Sequence, residues 1–200
     1  MSKKNVPAIV SALGVLMTII SELLSLVRQD GGTEEDFYAL GTPEGKNTLK
    51  QMASLIIKAG QMARNTFRVV ADYARSVEDG VKAGNYNWSN SAITSSNFPS
   101  TRKGTSEVNI HLIHFNKNMN TDQVLSELDK QGLRSAELLE LLAFGVAYPE
   151  KQREFPIVAL GSVWHRRVPC LVRGDSERYL DLRWIDSGWY EIYRFAAVRK

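Results

Sequence analysis

"LDLRWIDSGWYEIYRFAAVRK", residues 180 to 200, closes the chain, and the fold turns on how it is read. Order normally fades at a chain end. This end instead carries Trp184, Trp189, Tyr190, Tyr193 and Phe195. Leu180, Leu182 and Trp184, and later Phe195 and Ala197, recur with the period of two that marks a strand with one covered side. The terminal strands are therefore expected to be central to a sheet, with inward side chains sealing the core and their neighbours facing a partner. Burial of one large apolar side chain contributes about 1.5 to 3 kcal/mol. Truncation at Ser187 is accordingly expected to unfold the C-terminal domain.

Working back from this segment, short strands are expected at about 156 to 164, 167 to 172, 178 to 185 and 189 to 199. His165-Arg166, "GDSE" (174 to 177) and "DSG" (186 to 188) would be the turns of an antiparallel meander. Two helices precede it. One runs from Asn120 or Thr121 to Lys130 and is broken by Gly132; the other lies in "SAELLELLAFGVAYPE" (135 to 150), capped by Ser135 and stopped around Gly145 and Pro149. "EVNIHLIHF" (107 to 115) sets Val108, Ile110 and Leu112 against Asn109 and His111, a half-buried strand. "TFRVVADY" (66 to 73) is a β-branched and aromatic strand, followed by a short helix through "SVEDGVKAG" (76 to 84). Residues 85 to 105 are rich in Asn, Ser and Thr and form a long loop, with Trp88 and Phe98 tethering it to a core.

The front of the chain reads differently. In "VPAIVSALGVLMTIISELLSLV" (6 to 27), Val6, Ile9, Val10, Leu13, Leu16, Met17, Ile20, Leu23, Leu24 and Val27 follow the spacing of a helix stripe. Lys3 and Lys4 precede the run and give it some likeness to a signal peptide or membrane anchor. Glu22 interrupts it, however, and no small-residue cleavage site follows, so a buried or oligomer-forming helix is the preferred reading. A short helix is expected at about 33 to 40. A third starts at Thr42-Pro43-Glu44, with Leu49, Met52 and Ile56 on its inner side. The fold class is α+β: a helical region over residues 1 to 62, then an α+β domain over residues 63 to 200.

Composition narrows the function. The 25 Lys and Arg are interspersed with 22 Asp and Glu, for a formal charge of +3, with no run of five like charges. Nucleic acid is permitted and not indicated. Cys170 is the only cysteine, which excludes an internal disulfide or a CxxC site and points to a reducing, cytoplasmic setting.

At "GLRSAELLELLAFG" (132 to 145), "PIVALGSVW" (156 to 164), "RVPCL" (167 to 171) and "YRFAAVRK" (193 to 200), the order of segments resembles a known fold. It is the C-type-lectin-like fold, in the compact form shared by formylglycine-generating-enzyme-like domains and the variable proteins of diversity-generating retroelements. Gly132-Leu133-Arg134 with Glu137 and Glu140 is similar to that family's Gly-aromatic-Arg turn and the helix it opens. Tyr193-Arg194-Phe195 with Val198-Arg199 is similar to its closing strand. The resemblance covers about residues 120 to 200. The enzymes of the group use a cysteine pair that Cys170 alone does not supply; of the calcium-binding motifs of sugar-binding lectins only Trp184-Ile185-Asp186 has a likeness here, with isoleucine in place of the ligand asparagine, so no calcium site is expected. The resemblance therefore implies a non-enzymatic protein, without metal or cofactor, that binds a protein or surface ligand near its C-terminus.

The candidate ligand-binding residues are Arg183, Ile185, Asp186, Ser187, Trp189, Tyr190, Ile192 and Tyr193, joined by His165 and Arg166. Trp189 and Tyr190, next to a turn, are expected to be exposed contacts. The alternative is a nucleic-acid surface built from Arg153, Arg166, Arg167, Arg173, Arg178, Arg183, Arg194 and Arg199. His111 and His114 point to opposite faces of a strand, so a shared metal is not expected. Cys170 is read as a buried thiol, and Glu137, Glu140 and Glu150 as a solvated helix face. Self-association through the N-terminal helix would complete the list of partners.

Overall fold

The structure, a computed structural model, describes residues 6–200; Lys3 and Lys4 lie outside the described residues, as do the side chains of Val6, Ile9 and Val10. The chain divides into two units, one ending at Ala59 and one spanning Gly60–Lys200.

In the first unit, α1 (Val6–Gln29) leads through Gly31, at φ +85°, to α2 (Glu34–Tyr38). Thr33 and Asp36 form the reciprocal cap that starts α2. A 3₁₀ turn over Ala39–Gly41 then precedes α3 (Lys46–Arg64), which crosses the unit boundary. The apolar stripes of these helices are only partly covered: Ile20, Leu23, Leu24 and Val27 of α1 and Met52 of α3 are half-buried. Leu13, Leu16 and Met17 of α1 and Leu49 and Ile56 of α3 are exposed, contrary to the buried inner side expected for α3. Amphipathic spacing sets which residues share a face, and a covering element must come from elsewhere. Among the described residues, no helix is long and apolar enough to cross a membrane.

The second unit begins with β1 (Thr66–Asp72), then α4 (Val77–Ala83), β2 (Trp88–Ser89) and β3 (Thr105–Ile113). There follow α5 (Thr121–Lys130), β4 (Leu133–Ser135), α6 (Leu138–Ala147), α7 (Lys151–Glu154), β5 (Ile157–Val158), β6 (Arg167–Arg173), β7 (Arg178–Trp184) and β8 (Arg194–Arg199). The expected α+β class is what the chain adopts. The strands form one mixed sheet in the order β1-β3-β8-β5-β6-β7-β2, with β4 also paired to β8.

The antiparallel run expected near the C-terminus is present in β5, β6 and β7, with pairs such as Val158↔Cys170 and Leu171↔Leu180. Its last step differs. Residues 189 to 193 are not strand, and β8 does not pair with β7. It crosses back to the interior of the sheet, antiparallel to β3 (Leu112↔Ala196) and to β4 (Arg134↔Val198), and parallel to β5 (Val158↔Phe195).

Composition explains this placement. "FAAV" (195 to 198) is apolar at every position, as in a strand covered on both sides, rather than alternating. Ala196 and Val198 join the core under α4 and α6, together with Val69, Ala71, Ile110, Leu171 and Leu180. Phe195 and Ala197 join a second core under α5, with Val124, Leu128, Val168 and Cys170. No side of β8 is left for a partner, contrary to the outward-facing neighbours expected of the terminal strands.

Two networks hold the helices to the sheet. Arg178 is buried, and its Nη1 and Nη2 donate to the carbonyls of Gly84 and Gly145 at 2.7 and 2.6 Å, near the C-terminal ends of α4 and α6. Its Nε donates to Gln152 Oε1 at 3.1 Å, and the guanidinium lies over the Tyr86 ring. A cation at helix C-termini is favoured by the carbonyls gathered there.

The start of α6 corrects two expectations. Ser135 lies in β4, and the cap is Glu137, paired with Glu140; the Leu138 amide donates to Ser162 Oγ at 2.9 Å. Glu140 is 0% exposed rather than solvated. It accepts from Arg134 at 2.6 and 3.0 Å, from the Tyr73 hydroxyl at 2.6 Å and from the Glu137 amide at 2.7 Å. Burial alone would raise its pKa. The bonds from Arg134, Tyr73 and the backbone outweigh that, and its carboxyl titrates below the ordinary value.

Candidate functional site

The connector from Ile185 to Tyr193 is held by hydrogen bonds of its backbone and of Trp189 to Arg166 and to residues 114 to 121. The Ile185 amide donates to the Arg166 carbonyl at 3.0 Å, and Thr121 Oγ1 donates to the Ile185 carbonyl at 2.6 Å. The same Thr121 oxygen accepts from Trp189 Nε1 at 2.9 Å. Met119 and Trp189 exchange both backbone bonds, at 2.9 and 2.7 Å. Gly188 turns the chain at φ +74°, a conformation that favours glycine. The His114 ring donates through Nε2 to the Glu191 carbonyl at 2.7 Å, and the Glu191 amide donates to Asn118 Oδ1 at 3.1 Å.

Trp189 is the anchor of this arrangement. It is 3% exposed and packs edge-on against Tyr193 and Phe195, at ring distances of 5.3 and 5.8 Å. The expectation that it is an exposed contact is thus overturned. A side chain of this size, with α5 and β8 beside it, gains more from the core than from solvent. Its burial turns its neighbours outward: Tyr190 is 65% exposed and Ile192 57%.

Beside the connector lies a cleft of about 640 Å3. Its walls are Ile192, Tyr193 and Arg194 on one side, Phe155 and Pro156 after α7, Val172, Arg173 and Arg183 from β6 and β7, and His114 at the exit of β3. Arg194 stacks on the Phe155 ring, its Cζ 4.5 Å from the centroid, while its Nη1 donates to the carbonyls of Ile192 and Tyr193 at 3.1 and 3.4 Å. Burial lowers its pKa. Arg183 pairs with Asp181 at 3.2 Å, and its Nε is buried with no hydrogen-bond partner among the described residues. Burial raises the Tyr193 pKa, and the nearby Cys170 adds to this.

Of the candidate residues, Arg183, Ile192 and Tyr193 meet in this cleft. Ser187, Trp189 and Tyr190 border a shallower hollow next to the start of α5. Asp186 accepts both the Nε and Nη2 of Arg166 at 2.6 Å, so these two residues hold one turn to another. Ile185 packs against the second core. His165 and Arg166 form the tight turn expected of them, both at positive φ, with the His165 ring 4.5 Å from Trp164.

Sequence reading missed Arg194, Arg173, Phe155 and His114 as cleft residues. Arg173 enters the sequence reading only as a member of a basic series, Arg194 as that and as part of the closing strand, and nothing local shows that β8 brings Arg194 to Phe155.

That basic series does not form one face. Arg178 is buried, and Arg167 lies between Trp164 and Trp184 at 5.4 and 4.7 Å from the ring centroids. Arg194 and Arg199 stand at opposite ends of β8. Trp184 itself is half exposed rather than turned to the core. Cys170 is fully buried, and burial pushes its thiol up to about 12. Among the described residues, no group of His, Cys, Asp or Glu is placed to hold a metal ion. Comparison with protein-family models, with curated proteins and with solved structures finds no match to this chain.

Proposed function

We propose that this is a non-enzymatic ligand-binding protein whose C-type-lectin-like domain presents residues 184 to 193 and the adjoining cleft to a protein or surface ligand. The observation that carries this reading is the mounting of Tyr190 and Ile192. Large side chains held outward on a connector already fixed by Trp189, Thr121 and Gly188 lose little freedom on binding. The scaffold assignment is supported by the pairing of the two segments that carry the resemblance. Leu133, Arg134 and Ser135 lie opposite Arg199, Val198 and Ala197, and Arg134 and Glu140 of the family-like turn bond to each other.

Self-association through α1 belongs to the same proposal, supported by its exposed Leu13, Leu16 and Met17. Diversification of the retroelement type would act on Asp186, Ser187, Gly188, Tyr190, Ile192 and Tyr193 and not on Glu191, although the φ of Gly188 favours glycine there. A gene without a neighbouring reverse transcriptase and template repeat would remove that part of the proposal and leave binding untouched.

The test is a panel of peptides and glycans offered to the full-length protein and to a Tyr190→Ser, Ile192→Ser variant. Ligands of the wild type should bind the variant at least about tenfold more weakly, since exposed aromatic anchors carry much of an interface's energy. Unchanged binding by a folded variant would place the binding surface elsewhere. The second reading, nucleic acid, draws on Arg173 and Arg194, which have no carboxylate partner among the described residues. Affinity for a single-stranded oligonucleotide that falls steeply with salt would favour it.

A further inference from the structure

The cleft beside the connector carries positive charge that its own walls do not neutralise. Arg173, Arg183 and Arg194 line it, together with Glu154 and Glu191. Glu154 is engaged by Lys151 at 2.9 Å and Arg183 by Asp181 at 3.2 Å, which leaves Arg173 and Arg194 facing Glu191 alone.

Arg194 is the informative member. It is half-buried over the Phe155 ring, and it spends one nitrogen, Nη1, on two backbone carbonyls. Nε and Nη2 have no partner among the described residues. A guanidinium withdrawn from water is ordinarily paired, because lost hydration must be replaced. Its planar fork matches the two oxygens of a carboxylate or phosphate. Arg183 lines the same wall, but its Nη1 is engaged by Asp181 and its Nε is buried, so Arg194 and Arg173 are the donors the cleft offers. Around these donors, Phe155, Pro156, Ile192 and Tyr193 supply apolar and aromatic surface, and about 640 Å3 suits a small molecule.

We infer that the cleft binds a small organic anion: a carboxylate or phosphate monoester carried on a flat apolar group, with Arg194 as principal donor and Arg173 at the rim. This rests on the proposed reading that the connector side is the binding side, and it names the chemistry bound there. An extended nucleic-acid strand fits less well, because Arg178 is buried and Arg199 lies at the far end of β8.

The test is calorimetric titration of the full-length protein with phenyl phosphate, benzoate and neutral phenol. Phenyl phosphate or benzoate should bind at least about tenfold more tightly than phenol, the preferred acid identifying the head group. Arg194→Gln should weaken the acid about tenfold or more and Arg173→Gln about twofold, while Glu191→Gln should tighten it. Arg194→Lys, which keeps the charge and loses the fork, should fall between wild type and Arg194→Gln; thermal melts report whether each variant is folded. The inference is overturned if neither acid binds the wild type, if phenol binds as well, if folded Arg194→Gln binds like wild type, or if a short oligonucleotide binds and both acids do not. Any of these leaves the connector proposal standing, because that is read from Tyr190 and Ile192 with other ligands.

Discussion

At the scale of single residues, two buried groups make acid stability legible. Glu140 titrates below its ordinary 4.5 in the folded chain, so its contribution is complete above that pH and is lost as pH falls through the lower native value. Glu140→Gln leaves Arg134 without its partner and should cost about 3 kcal/mol at pH 7, by chemical denaturation, while flattening the acid limb. Tyr73→Phe removes one of the four bonds to that carboxylate and should cost about 1.5 kcal/mol.

His111 acts at higher pH. Thr66 Oγ1 gives its proton to the Met62 carbonyl at 2.6 Å and therefore accepts from His111 Nδ1 at 2.8 Å, which assigns the tautomer. Nε2 is then a bare lone pair, buried and without a partner among the described residues. Burial, with Arg199 adding to it, lowers the His111 pKa from 6.5. The unfolded chain thus binds the extra proton first, and stability should decline as pH drops from about 6.5 toward the lower native value. Denaturation midpoints between pH 7.5 and 5 measure this, and His111→Phe should remove that part of the slope. A slope unchanged in His111→Phe would assign it to another group.

At the scale of elements, local chemistry was readable and long-range pairing was not. The starts of α2 and α5 follow from Thr33 and Asn120, and the turn at His165-Arg166 from its neighbours, because each depends on residues within one turn of chain. The start of α6 was placed too early, at Ser135. That residue is claimed by pairing with Ala197, sixty-two positions away, and no local pattern announces it. The alternation through Leu180 and Leu182 marked β7 correctly, whereas the all-apolar "FAAV" should have signalled a strand covered on both sides. Trp189 was misjudged for a related reason, since its cover comes from α5 and β8. The lining of the cleft was half legible: Arg183, Ile192 and Tyr193 were named, but Arg194 joins it only because β8 brings it to Phe155. Gly145 tests the packing of α6 directly. A Cβ there would collide with the Tyr86 hydroxyl beneath Arg178. Gly145→Ala should therefore lower stability by about 1 to 3 kcal/mol in thermal or urea melts, although alanine is the better helix former.

At the scale of the whole molecule, the two units pose different problems. The first has helices whose apolar stripes are exposed over much of their length, and the second buries its own core on both faces of a sheet. Sedimentation of the full chain should accordingly show self-association, and Leu13→Glu with Leu16→Glu should shift it to monomer. A wild type that stays monomeric at high micromolar concentration would count against α1 as the contact. The second unit depends on its end. β8 joins β3, β4 and β5, so loss of residues 188 to 200 removes the strand common to three pairings as well as Trp189 and Phe195. The most direct measurement is the thermal melt, followed by circular dichroism, of the chain truncated after Ser187. The account predicts an insoluble product or one without a cooperative β-sheet transition; a soluble product melting cooperatively near the full-length midpoint would contradict it.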